Sequence, residues 1–119
     1  MANILIVDDS RSMRKMVKFA LETANHHIYE ADDGKSGLNA TKRQQFDLIV
    51  TDFNMPIMDG IELTKHLRAM PNYKFTPIIM LSTEAIAEQK AQGKAAGVTG
   101  WIEKPFQPDK LIAAVNKVT

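Results

Sequence analysis

The stretch that decides the fold is FDLIVTDFNMPIMDG, residues 46–60. It contains the apolar run LIV at residues 48–50 and then the turn-forming segment NMPIMDG at residues 54–60. A short apolar run bounded by turn residues is typical of a strand that is buried on both faces. We therefore predict a central strand over residues 48–52, with Asp52 as its last residue.

The carboxyl end of such a strand is where open α/β sheets bind ligands, although an aspartate there is also a common turn residue. The first predicted strand, NILIV at residues 3–7, ends in Asp8 and Asp9. If the two strands are neighbours, three carboxylates meet, and each pair repels by about 4 kcal/mol at 4 Å and an effective dielectric constant near 20. The pattern therefore predicts a cation among them. Mg²⁺ suits such a site, because it accepts few protein ligands and keeps several waters.

Composition limits the classes of protein to consider. The 119 residues suffice for one domain, with 45% hydrophobic and 24% charged residues. A formal net charge of +1 predicts no general attraction to nucleic acid or membrane, and the lack of cysteine excludes disulfides and thiolate chemistry. The start of the chain lacks the pattern of a signal peptide, and no apolar run is long enough for a bilayer. We expect a soluble cytoplasmic protein.

Strands and helices alternate along the chain. We predict strands over residues 3–7, 27–31, 48–52, 77–81 and 99–103. We predict helices over residues 11–22, 35–42, 61–70, 85–96 and 109–117. Helical crossovers between buried strands imply parallel pairing with right-handed connections. The expected fold is a doubly wound α/β domain with five strands and five helices, and with both faces of the sheet covered.

The first helix is predicted to begin after a Ser10 cap and to face the core with Met13, Met16, Val17, Ala20 and Leu21. Phe19 falls off that stripe and is expected to be partly exposed. The basic residues of this helix form either a solvated face or a docking surface for an acidic partner: Arg11, Arg14, Lys15 and Lys18. The alanine-rich helix over residues 85–96 buries little area, so we expect it to be loosely anchored. The three histidines are interpreted as surface or rim residues: His26, His27 and His66.

The strand ends together indicate phosphoryl chemistry. A carboxylate such as Asp52 can attack phosphorus and form an acyl phosphate. A metal would neutralise the acids and the incoming phosphoryl oxygens. Lys104, which follows the fifth strand, would add a fixed cation, and Ser82 or Thr83 after the fourth strand would add a hydrogen-bond donor.

Four motifs carry a resemblance to a known family: VDDS at 7–10, DFNMPIMDG at 52–60, LSTEA at 81–85 and KPF at 104–106. With them, the whole chain resembles the receiver domains of bacterial two-component response regulators, most closely the single-domain chemotaxis regulators of the CheY type. The resemblance implies one receiver domain over residues 1–119 and the flavodoxin-like strand order 2-1-3-4-5, for which CheY is itself a standard example.

The resemblance also implies a role for each acidic position. Asp52 is similar to the phosphoacceptor and would also bind Mg²⁺. Asp9 is similar to a direct Mg²⁺ ligand, Asp8 to a ligand through water, and the backbone carbonyl of Asn54 to a further ligand. The Asn54 side chain and Glu84 occupy positions that influence the lifetime of the acyl phosphate in this family.

Three other positions carry implied roles in switching. Ser82 is similar to the hydroxyl that turns toward the phosphoryl group, and Lys104 to the lysine that pairs with the phosphorylated aspartate and precedes a cis bond to Pro105. Trp101 stands where chemotaxis regulators usually carry a tyrosine that moves inward on activation. The indole is larger, so it either takes part in the switch or packs beside the alanine-rich helix. The implied output surface covers residues 85–118.

The implied partners are a CheA-like sensor histidine kinase, which donates the phosphoryl group, and a downstream protein. That protein is a flagellar motor switch, another regulator or a phosphotransfer protein, unless the domain only drains phosphate or relays it. The chain is expected to be a monomer that assists its own phosphorylation and dephosphorylation and is not otherwise an enzyme. A haloacid-dehalogenase-type phosphatase would need an acid where Asn54 stands. A flavodoxin-like cofactor binder would need a phosphate loop where Asp8 and Asp9 stand.

Overall fold

A computed structural model describes residues 2–83 and 87–119 of the chain. Its strands are β1 (Asn3–Val7), β2 (His27–Ala31), β3 (Leu48–Asp52), β4 (Ile78–Ser82) and β5 (Gly100–Glu103). Its helices are α1 (Arg11–Thr23), α2 (Gly34–Arg43), α3 (Gly60–Arg68), α4 (Ala87–Ala96) and α5 (Pro108–Val118), with a short 3₁₀ helix at Pro71–Tyr73. Across these residues, no helix has the length and apolar character needed to cross a membrane.

The strands form one parallel sheet in the order β2-β1-β3-β4-β5, which confirms the predicted fold class and topology. Strands β3 and β4 are buried along their whole length. The edge strand β2 instead alternates between exposed and covered residues. Central strands read as continuous apolar runs because helices cover both of their faces.

Two apolar clusters fill the space between the sheet and the helices. On one face, α1 and α5 pack on the sheet through Val17, Leu21, Leu111 and Val115. On the other face, α3 and the chain around β3 pack on it through Phe46, Leu63, Leu67 and Tyr73. The sheet is thus packed between two layers of helices, which leave the carboxyl ends of its strands uncovered.

Element boundaries follow the sequence closely. Strands β1, β2 and β3 have the predicted bounds, and β4 begins one residue late because Pro77 has no amide N–H for the ladder. Ser10 caps α1 as predicted, since its side chain accepts from the N–H of Met13 at 3.3 Å. Helix α3 ends two residues before the prediction, because Met70 has an extended backbone at the N-cap position of the following 3₁₀ helix. The predicted start of the fourth helix, at residues 85 and 86, lies outside the described residues.

Two predictions about side-chain positions are wrong. Met16 is 56% exposed, because it sits at the edge of the α1 stripe, whose buried members are Val17, Ala20 and Leu21. His26 is buried and not a rim residue. Its Nδ1 accepts from the N–H of Ala2 and its Nε2 pairs with Oδ1 of Asn116, both at 3.1 Å, which ties the chain start to α5. Phe19 is 72% exposed, as its position off the stripe predicted.

Candidate functional site

The parallel register gathers the polar strand ends at one edge of the sheet. Asp52 pairs in register with Leu81, so that Ser82 lies one residue beyond it on the neighbouring strand. Ser82 in turn pairs with Glu103, and Lys104 follows directly. On the other side of β3, the β1 register places Asp8 just beyond Thr51. The edge predicted from the sequence is therefore assembled by three consecutive strand pairings.

Three carboxylates form an acid cluster at this edge. One oxygen each from Asp8, Asp9 and Asp52 lies within 4.8 Å of the others. Asp8 and Asp52 are buried, whereas Asp9 is exposed. Three carboxylate oxygens at this spacing can bind one hard divalent cation, with water on the exposed side next to Asp9.

Lys104 is the cation that this structure supplies to the acid cluster. Its Nζ lies 3.0 Å from Oδ2 of Asp8 and 3.1 Å from Oδ1 of Asp52, and its side chain is only 9% exposed. Burial alone would lower the pKa of Lys104, but the hydrogen bond that Lys104 donates to Asp8 and the charges of both carboxylates outweigh it and raise that pKa. Lys104 therefore stays charged, and one positive charge faces three acids.

Asp52 has one occupied and one open oxygen. Its Oδ1 accepts from the N–H of Phe53 at 2.9 Å as well as from Lys104, whereas no described residue donates to Oδ2. Burial and then the charge of Asp8 raise the pKa of Asp52, and Lys104 and the Phe53 amide offset this only in part. The site thus holds Asp52 by one oxygen, and the other accepts no hydrogen bond from the described residues.

Asp8 is fixed more completely than Asp52. Its Oδ1 accepts from the N–H of Ser10 at 2.9 Å, its Oδ2 accepts from Lys104, and its backbone carbonyl accepts from Nη1 of Arg14 at 2.7 Å. With both oxygens engaged, Asp8 suits contact with a metal through water better than direct contact. Arg14 is thus a neighbour of this site that the motifs did not indicate. Its position six residues after Asp8, at the end of the first turn of α1, is the available signal.

The remaining predicted site residues lie at different places around the acid cluster. Ser82 is 2% exposed at the end of β4, and Thr83 after it is exposed. Asn54 is exposed in the loop after β3, two residues beyond Asp52. Glu84 lies outside the described residues. The Lys104–Pro105 peptide bond is cis, as predicted.

The end of the β3–α3 loop folds back on the strand end. The N–H of Gly60 donates to the carbonyl of Phe53 at 3.0 Å, and Asp59 caps α3 by accepting from the N–H of Glu62 at 2.8 Å. A Cβ at Gly60 would collide with the carbonyl oxygen of Asp52. The glycine in the motif is thus required for the close approach that holds Asp52 in place.

Trp101 lies between Phe53 and helix α4. Its ring lies 5.7 Å from the ring of Phe53, the residue that follows Asp52, and a Cβ at Gly93 in α4 would meet it at 2.8 Å. Its indole N–H is buried and has no hydrogen-bond partner in the described ranges. In this conformation the indole packs beside the alanine-rich helix, one of the two positions considered for it. A part in switching stays a prediction.

The sequence profile of the response regulator receiver domain matches residues 4–116. The chain belongs to this family. It is 43% identical to chemotaxis protein CheY-3 of Vibrio cholerae, over 97% of this chain and 89% of that protein. Among solved structures, it is similar to Vibrio cholerae CheY4, with a TM-score of 0.96, 45% identity, and coverage of 100% of this chain and 99% of the other.

A second solved structure is informative about the acid cluster. The receiver domain of a sensor histidine kinase from Pseudomonas aeruginosa was solved with a magnesium ion coordinated in its active-site cleft. The present receiver domain is similar to it with a TM-score of 0.91 and 26% identity, over 98% of this chain and 96% of that chain. As a receiver domain with chemotaxis regulators as relatives, the protein is a response regulator of two-component signalling.

Proposed function

We propose that this receiver domain is a switch activated by phosphorylation of Asp52, with the phosphohistidine of a CheA-like sensor kinase as the donor. The observation that carries the proposal is the acid cluster, in which Asp52 keeps one oxygen open while Lys104 holds the other. The similarity to chemotaxis proteins supports a role in chemotaxis signalling. The positions of Asp52 and Lys104 support phosphoryl transfer to Asp52.

The transfer step follows from the position of Asp52. Its Oδ2 attacks the phosphorus, the P–N bond of the phosphohistidine breaks, and the electron pair stays on the imidazole nitrogen, which takes up a proton. Lys104 stabilises the negative charge on the phosphoryl oxygens from the β5 side, at a fixed position that costs no rearrangement during the reaction. The chain supplies these groups for its own modification and would not act on a separate substrate.

The acid cluster fits Mg²⁺ as the ion of this receiver domain. Asp9 and Asp52 would bind it directly, Asp8 through water, and the backbone carbonyl of Asn54 would complete the protein ligands. Bound there, the ion would neutralise the charge of the acids and of the phosphoryl oxygens. Lys104 neutralises one charge of three, and the pKa of Asp52 is raised by burial and by Asp8, so an uncompensated negative charge remains for a cation to balance.

The output is proposed to be binding of a downstream protein, such as a flagellar motor switch, to the surface formed by α4, β5 and α5. Trp101 lies in that surface and touches Phe53 next to the phosphoacceptor. Helix α4 buries only Gly93 and Ala96 among its described residues. Phosphorylation at Asp52, reported through Ser82 and Trp101, can therefore shift this helix at low cost in buried area.

The proposal is tested by incubating the protein with acetyl phosphate and Mg²⁺ and locating the added phosphoryl group by mass spectrometry. We expect modification of Asp52 in the wild type and in Asp109→Asn, which changes an exposed acid on α5, and none in Asp52→Asn. Trp101 fluorescence should change on adding beryllofluoride only when both Mg²⁺ and Asp52 are present. Modification elsewhere, or an unmodified wild type, would refute the phosphoacceptor assignment.

A further inference from the structure

A second polar cleft crosses the carboxyl end of the edge strand β2. It has a volume of about 520 Å³, and it lies between α1 on one face of the sheet and α2 on the other. This volume is within the range of about 300–1,000 Å³ that is usual for small-ligand sites. None of the three acids of the acid cluster lines it, although Arg14, which donates to the backbone carbonyl of Asp8, is one of its lining residues.

The cleft carries an excess of positive charge. Four cationic side chains line it, Arg11, Arg14, Lys15 and Arg43, against the two carboxylates Glu30 and Asp32. That leaves a formal charge of +2 (four cations less two carboxylates).

The charge of Glu30 is already compensated within the protein. Its oxygens lie 3.3 Å from Arg14, 3.0 Å from Lys15 and 3.5 Å from Lys18. Burial alone would raise the pKa of Glu30, but these lysines outweigh it and hold that pKa below its usual value. Glu30 therefore stays a fixed anion that orients Arg14 and Lys15 in the wall of the cleft.

Two arginines of the cleft have no such partner. Arg11 at the start of α1 and Arg43 at the end of α2 are exposed, and neither forms a hydrogen bond or an ion pair with any residue in the described part of the chain. They come from helices on opposite faces of the sheet, so two free guanidinium groups border one space.

A guanidinium group presents planar paired donors that match the oxygens of a phosphate. The walls offer only alanine as apolar surface, through Ala31 and Ala40, so an apolar ligand would gain little there. We propose that this cleft binds a small anion with at least two phosphate charges, of the class of pyrophosphate or a nucleoside diphosphate. The excess of two positive charges and the free arginines on both walls match a ligand of this charge.

Arg43 allows a matched test, because Lys42 precedes it in the same helical turn. Both are exposed cations in the last turn of α2, but only Arg43 lines the cleft. Pyrophosphate is titrated into ¹⁵N-labelled wild type, Arg43→Gln and Lys42→Gln in Mg²⁺-free buffer at about 0.15 M salt, where charges beyond about 8 Å are screened. Asp52→Asn is titrated in parallel to separate binding at the acid cluster.

For the wild type, Lys42→Gln and Asp52→Asn, we expect saturable amide shifts along α1, the end of β2 and α2. Arg43→Gln should bind about tenfold or more weakly, the usual effect of losing one charged hydrogen-bonding group. Amide spectra of both glutamine variants check that they are folded. Shifts that do not saturate, equal weakening in the two variants, or shifts that vanish in Asp52→Asn would each overturn the proposal.

Discussion

Replacing Asp52 by asparagine should stabilise the metal-free protein, although it removes an ion pair. The charge of Asp52 lies within 4.8 Å of the Asp8 charge, which costs about 3.5 kcal/mol at an effective dielectric constant near 20. Lys104 at 3.1 Å returns about 5 kcal/mol on the same scale. Burial of the carboxylate costs a further several kcal/mol.

The balance is decided by the raised pKa of Asp52, because it shows that burial and Asp8 together outweigh Lys104. Asparagine keeps an acceptor for the N–H of Phe53 and removes the buried charge. We therefore expect Asp52→Asn to raise the free energy of unfolding at pH 7 by about 1–2 kcal/mol, the difference between these opposing terms.

With Mg²⁺ bound, the wild type should instead be more stable than Asp52→Asn. A ligand at about 100 times its Kd stabilises the folded state by about 2.7 kcal/mol, provided that it does not bind the unfolded chain. The wild type would gain this amount, whereas the variant has lost a charged ligand of the acid cluster and would gain less. Urea unfolding with and without Mg²⁺ measures both values, with Asp109→Asn as a control for removing an exposed acid.

The pH dependence adds a second constraint on the same variant. A carboxyl whose pKa is raised by folding contributes full stability below its unfolded pKa of about 4, and this contribution is lost as the pH rises through the folded pKa. Without Mg²⁺, the advantage of Asp52→Asn over the wild type should therefore grow as the pH rises from about 4 through the folded pKa of Asp52. If the variant is no more stable at pH 7, or if its advantage does not change with pH, the electrostatic account of the acid cluster is wrong.

Three further substitutions test other parts of the structure, each by urea unfolding. Ile57 is exposed and has φ 72° in a three-residue turn, so Ile57→Gly should stabilise the protein by about 1 kcal/mol. Gly93→Ala should destabilise it by about 1 kcal/mol and shift Trp101 emission, because crowding of the indole exceeds the gain in helix propensity. Arg68 donates to the carbonyls of Tyr73, Thr76 and Gly97, and Arg68→Lys should cost about 2–3 kcal/mol, since lysine cannot reproduce that fork. No loss of stability in either destabilising variant would contradict the packing described for it.

The strand ends were predictable because they are local features. The apolar runs before Asp52 and before Asp8 each predict a buried strand and where it ends. This prediction does not depend on which strand pairs with it. The cap at Ser10 was predictable for the same reason, since it depends on residues within one helical turn. The motif resemblance then supplied the strand order, which a pattern of alternating elements leaves open.

Other features were out of reach because they depend on contacts between distant segments. Met16 lies at the edge of the stripe that faces the core, and its exposure depends on how α1 is rotated on the sheet. His26 is buried where it forms hydrogen bonds with Ala2 and Asn116, which are 24 and 90 residues away in the sequence. No periodicity in the sequence encodes such a pairing.

The sequence by itself determined the fold class, the three acids, the lysine and the edge of the sheet at which they meet, because strand burial and strand ends are written in neighbouring residues. Only the tertiary structure decided the distances among Asp8, Asp52 and Lys104, which oxygen of Asp52 stays open, and where Trp101 packs. These features depend on the parallel register and on side-chain packing, both of which are set by contacts between segments that are distant in the sequence. The charged cleft between α1 and α2 likewise exists only after both helices dock on the two faces of β2.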